Sequence, residues 1–81
     1  DKFIRISMKV QTDSTEAAEE LTKRDFQVKN ILITELSEMT PEDLEGKQGK
    51  LTLESSLKTK INELMNEGEV QQVYITSYII Q

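Results

Sequence analysis

The C-terminal run Val70-Gln71-Gln72-Val73-Tyr74-Ile75-Thr76-Ser77-Tyr78-Ile79-Ile80-Gln81 constrains the fold of this chain more than any other stretch. It is rich in β-branched and aromatic side chains, contains neither Pro nor Gly, and follows closely on Gly68, so it reads as a long β-strand. Side chains alternate across a strand, which puts Val73, Ile75, Ser77 and Ile79 on one face and Tyr74, Thr76, Tyr78 and Ile80 on the other. Both faces come out largely apolar. A strand of that kind is covered on both sides, or covered on one side and docked to another chain on the other.

A second strand pattern lies at the opposite end. From Phe3 to Gln11 the residues alternate, with Ile4, Ile6, Met8 and Val10 against Arg5, Ser7, Lys9 and Gln11, the signature of a half-buried strand with one wet face. Asp13-Ser14-Thr15-Glu16 has the spacing of a capping box and predicts a helix start. Ala17, Leu21, Val28, Leu32, Leu36 and Met39 then keep to one side of a helix that runs to about Glu38. That is long for so small a chain, and Thr22-Lys23-Arg24-Asp25 supplies no apolar residue, so a kink or break is expected there. Phe26 and Ile33, one heptad apart, fall off the main stripe. They form either a second apolar patch or, more economically, part of a wide core-facing surface.

Thr40-Pro41-Glu42-Asp43 repeats the start signal, with Thr40 as N-cap and Pro41 at the first helical position, and predicts a short turn ending near Leu44. Gly46-Lys47-Gln48-Gly49-Lys50 reads as a flexible, basic break. The following helix carries Leu53, Leu57, Ile61, Leu64 and Met65, with Lys58, Lys60, Asn62 and Glu63 as its solvent face and Gly68 as its stop. The expected fold is α+β: a small antiparallel sheet made by the N- and C-terminal strands, with two main helices, the first long or kinked, packed on one face. Eighty-one residues make one domain with a single modest core, since a chain this short buries roughly 60% of its unfolded surface.

Chemistry is sparse. With 15 acidic against 10 basic residues and a net charge of −5, clustered phosphate-binding cations are missing, which argues against nucleic acid as a partner. The chain has neither Cys nor His, which removes thiol nucleophiles, imidazole bases and the usual zinc or copper ligand sets. Gly46 to Thr52 departs from a phosphate loop in both its glycine spacing and its setting. The carboxylate pairs Glu19/Glu20, Glu42/Asp43 and Glu63/Glu67 lie in hydrophilic stretches where a solvated surface is expected. No cofactor, metal or catalytic residue is therefore expected, and the chain does not read as an enzyme. It opens at Asp1 without Met and runs almost at once into a strand pattern, so it reads as a fragment cut at a domain edge.

The second half carries a family resemblance. Leu44-Glu45-Gly46-Lys47, Gly49-Lys50, Ile61-Asn62, Gly68 and the tail Val73-Tyr74-Ile75-Thr76-Ser77-Tyr78-Ile79-Ile80-Gln81 resemble the flagellar basal body-associated protein FliL family, and Lys23-Arg24-Asp25 before an apolar helix resembles its first half. Ile75 stands where the family commonly has Phe, and Ser77 where it has an acidic residue. The style is most similar to Bacillus-type members. The resemblance implies a stomatin/SPFH-like fold on the outer side of the cell membrane, below a single membrane helix upstream of Asp1. It also implies assembly into a homo-oligomeric ring and support of the flagellar stator, and so of motor rotation, swarming and chemotactic motility. On this reading Phe26, Ile33, Tyr74, Tyr78 and Ile80 are the candidate interaction surface, with Val73, Ile75 and Ile79 turned to the helices. The alternative is a small-ligand- or ion-binding sensor that uses Gly46 to Lys50.

Overall fold

In the computed structural model, which describes residues 3–80 and Ile80 by its backbone alone, the chain runs β1 (Ile4–Thr12), α1 (Thr15–Lys23), α2 (Asp25–Ser37), α3 (Pro41–Glu45), α4 (Lys47–Leu64) and β2 (Val70–Ile80). β1 and β2 pair antiparallel as a two-stranded sheet. The fold is α+β, as the sequence predicts. The expectations placed on Asp1 and Gln81 lie outside the described residues.

The predicted first helix divides at Arg24, within the apolar-free stretch, into α1 and α2. Its cap differs by one residue from the expected box. Ser14, not Asp13, is the N-cap and accepts the Ala17 N–H at 3.1 Å. Asp13 works across the sheet end, where its carboxylate accepts the Glu69 N–H at 3.0 Å and its own N–H donates to the Glu69 carbonyl at 3.1 Å. Thr40 forms the full capping box with Asp43 at the start of α3.

Gly46 to Lys50 is not a flexible break. Gly46 caps α4, and Lys47 to Lys50 form its first turn. The reason is a close approach of two helices: a Cβ at Gly49 would sit 1.6 Å from the Asp43 carbonyl oxygen, so only glycine lets α3 rest on the start of α4. At the other end α4 stops at Leu64 with Met65 as C-cap, so Gly68 does not cap the helix. It takes φ +127 in the turn before β2, where a Cβ would lie 2.6 Å from Asp13 Oδ1.

The core is formed by Leu44, Leu53, Leu57, Ile61, Val70, Val73 and Ile75, with Ile6, Met8, Val10, Leu21, Val28, Leu32, Leu36 and Met39 packed around it. Full burial of a side chain such as Leu57 or Ile61 contributes about 2 kcal/mol each.

β2 departs from strict alternation in two places. Ser7 pairs with Ser77 but Met8 with Ile75, leaving Thr76 unmatched. Gln11 pairs with Gln72 but Thr12 with Val70, leaving Gln71 unmatched. Each bulge slips the strand by one residue and so exchanges its faces. Val70, Val73 and Ile75 are consequently all buried, Tyr78 is half-buried against the core, and Ile79 is 48% exposed. The expectation that the helices cover Ile79 and leave Tyr78 outside is thus reversed by the bulge at Thr76. β2 is two-faced, not apolar on both sides.

Candidate functional site

Phe26 and Ile33 lie on α2 seven residues apart, hence on one side of the helix. They are 86% and 65% exposed, which excludes the wide core-facing reading and leaves the separate apolar patch. α2 starts beside the turn before β2, because the adjoining Arg24 and Glu20 reach that turn. It ends beside the start of β1, where Ile33 and Leu36 share an open groove with Phe3, Ile4, Met39 and Leu44. The body of α2 packs on α4, and its C-terminal end is separated from the start of β1 by this groove of about 430 Å³.

The open face of the sheet is different in character. Pairs that sit opposite one another share a face, so Arg5 with Ile79, Ser7 with Ser77, Lys9 with Tyr74 and Gln11 with Gln72 all point away from the helices. Tyr74 is half-exposed there, and its hydroxyl donates to Gln11 Oε1 at 3.5 Å. Among the described residues this face has two cations and no carboxylate, on a chain whose net charge is −5. Of the five candidate surface residues, the structure thus places Phe26 and Ile33 together on α2 and Tyr74 on the open face. Tyr78 is turned to the core opposite Ile6, and the side chain of Ile80 lies outside the described residues.

Three buried glutamates escape a reading of the chain by stretches. Glu54 on α4 accepts the Ile75 N–H at 2.8 Å. Glu35 on α2 accepts from the Ser56 hydroxyl on α4, with Lys60 Nζ at 3.7 Å. Glu20 on α1, expected in solvent, is instead turned onto the turn before β2. Its Oε1 accepts the backbone N–H groups of Asn66 and Glu67, both at 2.8 Å, and its Oε2 accepts from Arg24 Nε at 2.7 Å. The Arg24 hydrogen bond, followed by the two backbone N–H groups, lowers the Glu20 pKa against an opposing desolvation by burial. Asn62, expected on the solvent face, is half-buried and clasps the first residue of β2, accepting the Val70 N–H at 2.7 Å and donating to the Val70 carbonyl at 3.0 Å. One signal could have found the glutamates: each falls on an apolar stripe, at Ala17/Glu20, Leu32/Glu35 and Glu54/Leu57, with the three-residue spacing of one helix face.

A second concavity, of about 610 Å³, lies between the end of α2, α3 and the first turns of α4. It is lined by Glu35, Glu38, Glu42 and Asp43 together with Gly46, Gln48 and Gly49. No helix among the described residues is long and apolar enough to cross a membrane, and no cluster of three or more metal-ligating side chains occurs among them.

The model of the flagellar basal body-associated protein FliL family matches residues 1–81. The chain is 47% identical over 81 residues to the flagellar protein FliL of Bacillus subtilis, 25% over 79 residues to that of Aquifex aeolicus, and 30% over 78 residues to the flagellar FliL protein of Caulobacter vibrioides. These alignments take in 96% or more of this chain but only 58%, 49% and 38% of the relatives' own lengths. A match from end to end, with Gly46, Gly49, Arg24 and the bulged tail each given a definite structural task, places the chain in the FliL family of flagellar basal body-associated proteins.

Proposed function

We propose that residues 1–81 form one extracytoplasmic domain of a non-enzymatic flagellar motor accessory protein that self-associates and supports the assembly or activity of the ion-driven stator. Rotation, swarming and chemotactic motility then depend on it. In this reading a single membrane helix lies upstream, the domain is of the stomatin-like kind, and copies assemble as a ring. The observation that carries the reading is the family match over the whole chain. The exposed pair Phe26 and Ile33, which the core does not use, supports it by offering an apolar contact surface.

The test is genetic. A strain lacking the gene should lose swarming, and the intact gene should restore it. Versions carrying Phe26→Asp or Ile33→Asp should fail to restore it while accumulating normally, and a crosslinker at Ile33→Cys should capture a stator subunit or a second copy. Normal swarming without the gene would sink the reading.

One observation favours a second reading, a ligand-binding sensor. The carboxylate-lined concavity includes Gly46, Gln48 and Gly49, from the stretch that sequence alone nominates, and its lining suits a small cationic ligand better than an anion. A thermal-shift screen decides it: a polyamine or amino-sugar that raises Tm reproducibly, and no longer does so with Glu38→Gln and Glu42→Gln, favours the sensor.

A further inference from the structure

The sheet has two strands and therefore two outer edges, and only the first half of the β2 edge is met from elsewhere in the chain. Along β2, α4 supplies Asn62 to Val70 and Glu54 to Ile75. Along β1, among the described residues, no group from outside the sheet bonds to a backbone N–H or C=O of Ile4–Thr12. A strand of nine residues with an open row of backbone donors and acceptors is a template for a further strand.

What could lie there is narrowed on both faces. On the open side, Arg5 and Lys9 are exposed and four residues apart, about 13 Å along the strand, with no carboxylate beside them. Carboxylates on an added strand would face them across the edge, whereas cations would be repelled. The same cations disfavour a second copy of β1, which would bring Arg5 and Lys9 towards their own kind. On the helix side, the C-terminal part of α2 lies beside the start of β1. Ile33 faces the groove beside Phe3 and Ile4, and Phe26 continues the same row about 10 Å further along the helix. Alternate residues of an added strand would rest on that row.

We infer that β1 is a docking edge for an extended segment of a partner protein that alternates acidic and apolar residues, pairing with Ile4–Thr12 as a third strand. Its carboxylates meet Arg5 and Lys9, and its apolar side chains cover Ile33 and Phe26. This goes beyond the motor role and does not depend on it, because the edge, its charge and its apolar floor are properties of the fold.

The probe is a synthetic peptide as long as β1 that alternates glutamate and valine, compared with one that alternates lysine and valine. The readouts are binding by anisotropy and amide hydrogen exchange of the protein by NMR. The glutamate peptide should bind at low salt, weaken as salt is raised, and slow exchange of β1 amides while leaving those of Val70 and Ile75 unchanged. The double variant Arg5→Glu/Lys9→Glu should lose about tenfold in affinity for the glutamate peptide and gain affinity for the lysine peptide, a reversal that an unfolded variant cannot produce. Ile33→Asp should weaken both interactions. Equal binding of the two peptides, protection appearing at β2, or no protection of β1 at millimolar peptide would overturn the inference. So would β1 protection that rises with protein concentration in the absence of peptide, since the occupant would then be a second copy. Because none of these readouts involves motility, failure here leaves the motor reading standing, and the converse also holds.

Discussion

The two edges of one small sheet are finished in different ways. Over its first half, from Val70 to Ile75, the β2 edge is closed by side chains that imitate a neighbouring strand: Asn62 offers Val70 both an acceptor and a donor, and Glu54 takes the Ile75 N–H. The β1 edge is left to solvent and guarded only by Arg5 and Lys9. Closing an edge with buried side chains holds a strand to its own helix, whereas guarding it with charge keeps it soluble yet open to a partner of opposite sign. The difference follows from where α4 lies. α4 packs on β2, while α2 packs on α4 and comes beside the start of β1 only near Ile33, leaving Ile33 and Phe26 exposed.

The comparison can be broken hardest at the seat of α4. Gly49→Val puts a side chain into the Asp43 carbonyl, so α3 and α4 must part; a loss of about 3 kcal/mol is expected in urea unfolding, with the Ile75 and Val70 amides losing protection together. Less drastic is removal of the caps themselves. Glu54→Ala leaves the Ile75 N–H buried without a partner and should cost about 2 kcal/mol, and Asn62→Ala about 1 kcal/mol. If both variants unfold at the wild-type urea concentration, the β2 edge is not held by α4 and the contrast fails.

Acid sharpens the comparison at the turn that feeds β2. Glu20 has a folded pKa below its ordinary value of 4.5, so its stabilising contribution is present above that pH and is lost as pH falls through the lower folded value. Thermal unfolding should therefore lose stability with acid below about pH 4.5, and Glu20→Gln should flatten that part of the profile. The smallest effect belongs to the open edge. Arg5→Ala and Lys9→Ala should each change stability by no more than about 0.5 kcal/mol, since neither side chain closes a buried contact; a larger loss would mean that β1 is held by its charges after all.

Much of this was legible in the chain. The apolar stripes, the Thr40 capping box and the two end strands give element order and pairing, because helix and strand periods are written in which residues are apolar. What stayed hidden depends on contacts between distant segments. Gly49 reads as flexibility until the Asp43 carbonyl is seen beside it, and Glu20 reads as solvated until the turn at Asn66 and Glu67 arrives with two unpaired N–H groups. The separation of Phe26 and Ile33 from the main stripe was visible, but only the course of α2 shows which side of the molecule they face.

The bulges at Thr76 and Gln71 mark the two places where the tail can change length, which its composition conceals. Deleting Thr76 alone removes one exposed polar residue, a change that a residue-by-residue tally scores as trivial. The pairing agrees, because loss of the unmatched residue joins Ile75 to Ser77 opposite Met8 and Ser7 and leaves Tyr78 opposite Ile6 and Ile79 opposite Arg5, whereas loss of a matched residue such as Val73 or Tyr74 would push partners out of phase. Natural variation in this segment should therefore tolerate replacement or loss of Gln71 or Thr76 while resisting the gain or loss of one residue at the matched positions between and beyond them. Two such changes that cancel should be accepted more readily than either alone.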